Sequence, residues 1–157
     1  MGDVRHEVVL TLRVFVDTSA LFSAVHAVGS ARDLVDEAAD AEVELIISSY
    51  VLTEVTRNLA AKSARGLERL NIILASGTLV MIEPDDGTTE RVARLVEPKD
   101  APIVAAAMAA RAPIVATYDQ RHLVSQAALI RSAFGVEVLT PTEVLRRLAT
   151  DDQEPTP

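Results

Sequence analysis

Short apolar segments rich in β-branched residues alternate along the chain with longer segments of helical periodicity. The apolar segments predict five strands, at residues 12–16, 45–47, 79–82, 114–117 and 136–139. Helices are predicted from about residue 18, after the first strand, and at residues 31–40, 51–61, 64–75, 89–96, 101–111, 126–134 and 142–148. Strands separated by helices favour right-handed crossovers, so the pattern predicts an α/β fold with a parallel sheet between two layers of helices.

The 157 residues match the length of a single domain. We expect the domain at residues 12–149, after an N-terminal extension at 1–11 that either lengthens the first strand or forms an arm. Residues 150–157 are polar and contain two prolines, which predicts a disordered acidic tail. No apolar stretch approaches the roughly 20 residues of a membrane helix, and the N-terminus lacks a signal-peptide pattern. These features favour a cytoplasmic protein with no membrane partner.

Composition narrows the possible chemistry. The absence of cysteine excludes disulfides, thiolate metal sites and cysteine nucleophiles. With no tryptophan and 3% aromatic residues, an aromatic platform for stacking bases is not expected. His6, His26 and His122 are too scattered to predict a zinc site. Neither a phosphate-binding glycine loop, nor a dinucleotide-binding fingerprint, nor a GxSxG nucleophile elbow is present.

The net charge of −8 initially argues against a nucleic-acid partner, because lysine and arginine supply most of the affinity for a phosphate backbone. The location of the acids changes this interpretation. Three of them, Asp151, Asp152 and Glu154, belong to the predicted tail. Four others, described next, cluster at one predicted edge of the sheet. Without these two groups, acids and bases nearly balance.

Four carboxylates follow the predicted strands in a consistent way. Asp17 comes directly after the first strand, and Glu54 lies in the first turns of the helix after the second. Asp100 begins the helix before the fourth strand, and Asp119 follows that strand. Sites in open α/β sheets form beyond the carboxyl ends of the strands, so we expect all four at one edge.

Each carboxylate also has a purely structural alternative. Asp17, Asp100 and Asp119 could cap helices or turns, and Glu54 could pair with Arg57 on its own helix. However, four ionised carboxylates at one edge would repel one another. A hard divalent cation with oxygen ligands offsets that charge. Two such ions can activate a water and stabilise the leaving oxygen of a phosphodiester.

Four segments resemble the PIN-domain nucleases. They are Val-Phe-Val-Asp-Thr-Ser-Ala-Leu-Phe at 14–22, Ser-Tyr-Val-Leu-Thr-Glu-Val at 49–55, Pro-Lys-Asp-Ala-Pro-Ile-Val-Ala-Ala-Ala at 98–107 and Ile-Val-Ala-Thr-Tyr-Asp-Gln-Arg-His-Leu at 114–123. The specificity lies in the ordered set of four, which covers about residues 12–148. The resemblance implies a three-layer α/β/α fold with a five-stranded parallel sheet in the order 3-2-1-4-5.

The resemblance also implies roles for individual residues. Asp17, Glu54, Asp100 and Asp119 would be catalytic and would bind Mg²⁺ or Mn²⁺. Ser19 would hold a ligand or water, and Thr117 would position the site through its hydroxyl group. Tyr118 departs from the family pattern, in which a small residue is common before the last aspartate. A bulky ring there would narrow the pocket or reshape the turn.

The activity implied is that of an endoribonuclease that hydrolyses RNA phosphodiester bonds, as in the VapC-like toxins of type II toxin–antitoxin pairs. The partners implied are RNA, an antitoxin protein and a second copy of the chain in a homodimer. Four apolar side chains of one helix are predicted either to join the core or to form such a protein-binding face: Leu67, Leu70, Ile73 and Leu74.

Positive side chains must flank an acidic pocket that binds RNA, because bare carboxylates repel phosphate. The candidates, whose alternative is a solvated surface, are Arg57, Lys62, Arg65, Lys99 and Arg121. A PIN-like module that binds RNA or protein without cutting it is the alternative function. A receiver-type phosphoacceptor domain does not fit, because Thr140 and Pro141 follow the fifth strand where a lysine is needed. The chain should bind RNA weakly without divalent metal and more strongly with it.

Overall fold

The computed structural model describes residues 11–151 and contains one sheet of five parallel strands. The strands are β1 (Leu12–Val16), β2 (Val43–Ile47), β3 (Leu79–Met81), β4 (Ile114–Ala116) and β5 (Glu137–Leu139). Their order across the sheet is β3-β2-β1-β4-β5, which confirms the predicted order.

Helices flank the sheet in a three-layer α/β/α arrangement. They are α1 (Thr18–His26), α2 (Ser30–Glu37), α3 (Ser49–Lys62), α4 (Ala64–Ser76), α5 (Asp86–Ala93), α6 (Ala101–Ala109), α7 (Ala127–Phe134) and α8 (Pro141–Asp151), with a short 3-10 turn at Val124–Gln126. Among the described residues, no helix is both long and apolar enough to span a membrane.

The core lies on both faces of the central strands. Val14 and Phe15 of β1 are completely buried, as are Leu45 and Ile46 of β2. Strands that are covered on both faces need continuous apolar runs, which is the pattern that predicted them. Most of α6 is buried too, from Ala101 to Ala107 except Pro102, since its sequence is apolar all round.

Capping side chains explain several shifts in helix boundaries. Ser48 accepts a hydrogen bond from the backbone of Val51 (3.4 Å), and α3 therefore begins two residues earlier than predicted. Asp85 likewise accepts from the Thr88 amide (2.7 Å), so α5 covers Asp86–Ala93 instead of 89–96. Such caps satisfy amide groups that have no partner inside the helix.

The last helix also differs from the prediction. It continues through Asp151 and takes in two residues that the sequence had assigned to the tail. The other tail residues, 152–157, and residues 1–10 of the predicted N-terminal extension lie outside the described residues.

The apolar side chains of α4 pack inward. Leu70 is buried, and Leu67, Ile73 and Leu74 are half-buried against the core. The structure thus favours the core interpretation of this stripe over a free protein-binding face.

The centre of the sheet brings β1 and β4 together. Val16 pairs in register with Ala116, and the Asp17 amide donates to the Ala116 carbonyl (3.0 Å). The strand order reverses direction between β1 and β4, and open α/β sheets bind ligands at such a switch point. The residues just after these two strands are therefore held side by side at the carboxyl edge.

Candidate active site

A cleft of about 470 Å³ opens at this edge of the sheet. It is lined by all four predicted carboxylates, Asp17, Glu54, Asp100 and Asp119. The other lining residues are Thr18, Ser19, Phe22, Tyr50, Asn58, Lys62, Lys99, Ile103, His122 and Leu123. The fold therefore brings together side chains from four separate segments of the chain.

Asp17 occupies the N-cap position of α1, but its side chain makes no capping hydrogen bond. Its Oδ2 accepts instead from Thr117 Oγ1 (2.7 Å) and Ser19 Oγ (3.3 Å). Burial raises the pKa of this carboxyl, and the nearby charge of Asp119 adds to that effect, whereas the hydroxyl groups oppose it. Asp17 thus faces the cleft, and the capping alternative does not describe its side chain.

Thr117 and Ser19 form a small hydrogen-bonded network around Asp17. The Thr117 hydroxyl, which is fully buried, also accepts from the Asp119 amide (2.9 Å) and lies 3.1 Å from the Ser19 hydroxyl. Ser19 Oγ in turn accepts from the Tyr118 amide (3.0 Å). The network fixes the turn after β4 against the start of α1.

Asp100 repeats the pattern of Asp17 at the start of α6. It occupies the N-cap position without a capping hydrogen bond from its side chain, and only 6% of it is exposed. Gln126 Nε2 donates to its Oδ2 (3.2 Å). Burial raises the pKa of this carboxyl, with a contribution from the charge of Asp119.

Glu54 is half-buried on α3 and turned towards α1, where Thr18 Oγ1 donates to its Oε2 (3.0 Å). No salt bridge joins it to Arg57 in the described part of the chain. Tyr50 lies one helical turn earlier, and burial together with its interaction with Glu54 raises the pKa of its hydroxyl to about 12. The charges of Asp17 and Asp100 contribute to that shift, so three of the four carboxylates raise the pKa of Tyr50.

Asp119 has both a structural and an electrostatic role. Its Oδ1 accepts from the His122 amide (3.1 Å), so it caps the following turn as the structural alternative proposed. Its charge also acts on Asp17 and Asp100. Capping this turn and facing the cleft are therefore compatible roles.

Sequence reasoning missed a group of residues beside Asp100. Glu97, Asp100 and His122 each offer a ligand atom, and these atoms lie within 4.8 Å of one another, close enough to hold a metal ion. His122 Nδ1 is 3.6 Å from Glu97 Oε2, and its Nε2 is 2.8 Å from Lys99 Nζ. His122 could have been found from its position three residues after Asp119. It was missed because the three histidines were considered only as a set, and they are far apart in the sequence.

Gln126 was also missed. Its Nε2 donates to Asp100 Oδ2 and to the His122 carbonyl (2.9 Å), and its Oε1 accepts from the Glu97 amide (3.1 Å). One amide side chain thereby holds this group together. Nothing in the sequence pattern distinguishes it, because it lies in the short 3-10 turn before α7.

The predicted basic residues divide into two groups. Lys62 and Lys99 line the cleft. Arg57, Arg65 and Arg121 are exposed and are not among its lining residues.

Tyr118 does not narrow the cleft. Its ring is half-buried against the core, and it is not one of the lining residues. The departure from the family pattern is therefore accommodated inside the fold.

The cleft carboxylates have the ligand chemistry that a hard divalent cation requires, and the described ligand atoms that lie within 4.8 Å of one another belong to Glu97, Asp100 and His122. None of the four carboxylates forms a salt bridge with another residue between 11 and 151. Mg²⁺ and Mn²⁺ prefer carboxylate oxygens, and an imidazole is an accessible further ligand for Mn²⁺. The Nε2 atom of His122 already contacts Lys99 Nζ. The carboxylates are therefore the principal ligands available to a metal ion.

A larger cavity of about 750 Å³ lies at the opposite, amino-terminal edge of the sheet. It contains none of the predicted site residues, and Thr11, at the boundary of the described chain, borders it. Arg13 there is already engaged, since it pairs with Glu44 (3.6 Å) and donates to the Ala110 carbonyl (3.0 Å). The chemistry is therefore concentrated in the smaller cleft.

Comparisons with known proteins agree with this geometry. The family model described as "PIN domain" matches residues 13–121. The crystal structure of PAE2754 from Pyrobaculum aerophilum superposes with a TM-score of 0.61 at 20% sequence identity, covering 95% of this chain and 97% of that one. No curated protein matches the sequence.

Proposed function

Because the chain belongs to the PIN-domain family, we propose that it is a divalent-metal-dependent endoribonuclease. PIN domains are generally metal-dependent nucleases, and this fold implies a nucleic-acid substrate. The proposal adds the identity of that substrate, RNA, and of the ion, Mg²⁺ or Mn²⁺.

One observation carries the proposal. Asp17 and Asp100 occupy helix N-cap positions, yet neither side chain caps its helix, and both are buried in the cleft with a raised pKa. Burying carboxylates beside one another costs free energy unless a charge of opposite sign offsets it. A fold that keeps this arrangement with no salt bridge to these two carboxylates from any residue between 11 and 151 favours a bound cation.

The proposal gives roles to seven residues in or beside the cleft. Asp17, Asp100 and Asp119 would hold the ion, with Glu54 as a further ligand or as the base that would orient the attacking water. Thr117 and Ser19 hold Asp17 in position through their hydroxyl groups. A bound divalent ion supplies charge stabilisation and lowers the pKa of water. Lys99, an exposed residue of the cleft lining, would supply positive charge for a phosphate group.

The biological context is also part of the proposal. The likeness to VapC-like toxins supports a role as the toxin of a type II pair, with an antitoxin as partner, a homodimeric assembly and a cytoplasmic location. A short neighbouring gene that encodes a DNA-binding protein would support this role, and a wild-type chain that does not inhibit growth when it is expressed alone would contradict it.

The direct test is cleavage of single-stranded RNA by wild type and Asp17→Asn with added Mn²⁺. Removing a ligand should reduce the rate by more than about 100-fold, the upper range for residues that only orient a ligand. Asp40→Asn changes an exposed carboxylate outside the cleft and should cleave as wild type does. Unchanged cleavage by Asp17→Asn contradicts the assignment. Metal binding by a wild-type protein that does not cleave supports the non-catalytic alternative.

A further inference from the structure

One wall of the cleft is a stripe along α3. Tyr50, Glu54, Asn58 and Lys62 follow one another at intervals of four residues, and all four line the cleft. Residues four apart lie on the same face of a helix. The stripe therefore extends away from the carboxylates for roughly 12 Å between Glu54 and Lys62, at 1.5 Å per residue.

The two ends of this stripe differ in chemistry. At one end, Tyr50 and Glu54 line the cleft together with Asp17 and Asp100. At the far end, the side chains that line the cleft are Asn58, Lys62 and, from α1, Phe22. None of these three carries a carboxylate. An amide, a cation and an aromatic ring thus form a compartment beyond the acidic one.

The aromatic ring in this compartment is already engaged by a cation. Lys62 Nζ lies 5.5 Å from the centroid of the Phe22 ring. His26 stacks on Phe22 with a centroid separation of 5.0 Å, which supports the ring within α1. Stacking of a base on an aromatic ring is stronger than an exposed cation–π contact, so a base can replace the ammonium group over Phe22.

We propose that this compartment binds the base of a nucleotide that flanks the cleaved phosphodiester. The base stacks on Phe22, the Asn58 amide binds its polar edge, and Lys62 moves from the ring to a phosphate. Single-stranded RNA is recognised by such combinations of stacking and contacts to base edges, and an amide side chain pairs well with adjacent donor and acceptor groups of a base. The inference rests on the proposed function and adds a position at which the sequence of the RNA is read.

Asn58 should set a base preference at one position of the substrate. A pool of single-stranded RNA dodecamers of random sequence, cleaved with Mn²⁺ and sequenced, gives this preference for wild type. In Asn58→Ala, the preference at one position next to the cut should fall at least about fivefold, the lower range for an amide contact to a base. Thr56→Ala, an exposed change on the same helix outside the cleft, is the control.

Lys62 should act without regard to sequence. Lys62→Ala should raise KM for all sequences alike and reduce the salt dependence of binding by about one ion. Arg146→Ala removes an exposed charge from α8 and should leave both quantities unchanged. A base-specific effect of Lys62→Ala would contradict its proposed role.

A fluorescent reporter separates this inference from the nuclease proposal. The chain has no tryptophan, so Phe22→Trp introduces a single one in the compartment. RNA dodecamers should quench its fluorescence, whereas Leu129→Trp, an exposed position on α7, should respond little. Quenching without RNA cleavage overturns the nuclease proposal and supports the compartment. RNA cleavage with neither quenching nor a change of preference in Asn58→Ala overturns the compartment alone.

Discussion

At the scale of single residues, the main feature is how Thr117 and Asp17 depend on each other. The Thr117 hydroxyl donates to the Asp17 carboxylate while accepting from the Asp119 amide, so it orients two of the four carboxylates at once. Thr117 is completely buried, so a water molecule could take the place of its hydroxyl group only if a cavity formed there. In the proposed metal site, such a buried group would influence activity by positioning a ligand, without contacting the substrate.

We expect Thr117→Val to lower RNA cleavage by about 10- to 100-fold, the usual cost of losing such a positioning group. The hydroxyl lowers the pKa of Asp17, so its loss should raise that pKa further. The ionised form then appears only at higher pH, and the acidic limb of the pH–rate profile should move upward. Thr117→Ser keeps the hydroxyl and should restore the wild-type profile. A Thr117→Val enzyme whose acidic limb stays in place would contradict this role.

The sequence located carboxylates better than it located their neighbours. Asp17 and Asp119 directly follow strands, and strand ends can be recognised from apolar runs. Tyr50 and Gln126 depend instead on the rotation of a helix and on a 3-10 turn, which no apolar pattern determines. Composition argued against a base-stacking surface, but it carries no information on where the few rings lie, and stacking on Phe22 stays a prediction.

At the scale of elements, the turn between α3 and α4 is closely packed. Ser63 ends α3 and caps α4, accepting from the Gly66 amide (3.0 Å). A Cβ atom at Gly66 would lie 2.6 Å from Leu59 Cδ2, which is completely buried. Gly66 therefore permits the close approach of α3 and α4. The stripe of residues that lines the cleft lies on α3.

We expect Gly66→Ala to destabilise the protein even though alanine favours helices. Overpacking costs about 1–3 kcal/mol, against a gain in helix propensity of up to about 1 kcal/mol. Thermal unfolding should show a lower Tm for Gly66→Ala and little change for the exposed α4 variant Glu68→Ala. The double variant Gly66→Ala/Leu59→Val should lose less stability than the two single changes together, because the shorter side chain makes room. Full additivity would exclude the steric explanation.

The elements themselves were largely predictable. All five strands appear where apolar runs predicted them, because central parallel strands must be apolar on both faces. The boundaries were less accurate, since they depend on single caps such as Asp85 and Ser48. The strand order came from the family resemblance, because periodicity does not specify which strands are neighbours.

At the scale of the whole molecule, the net charge of −8 links the stability of the fold to pH and to metal binding. Asp17 and Asp100 both have a raised pKa in the fold, so the native state binds more protons than the unfolded chain between the unfolded and folded pKa values. Their contribution to stability is therefore greatest below the unfolded pKa and declines as pH rises through the folded pKa. The divalent ion of the proposed function would bind the ionised form and compensate for this loss.

The increase in Tm on adding Mn²⁺ should therefore grow as the pH is raised from about 5 towards neutrality, because metal affinity requires deprotonated ligands. Differential scanning fluorimetry with Mn²⁺ or EDTA at each pH measures it. Asp17→Asn should reduce the increase, whereas Asp40→Asn should keep it. An equal increase at every pH would show that the ion binds elsewhere.

The hydrogen bond between Thr117 and Asp17 joins residues that are 100 positions apart. A nascent chain that has reached only the end of α3 contains Asp17 and Glu54 but not Asp100 and Asp119. The cleft therefore cannot form on it. β1 can pair with β2 as soon as both have been synthesised, but its second neighbour, β4, is separated from β2 by residues 48–113. The proposed nuclease therefore has no complete cutting site until Asp100 and Asp119 have both been synthesised, and a chain that stops before Asp119 should not cleave RNA.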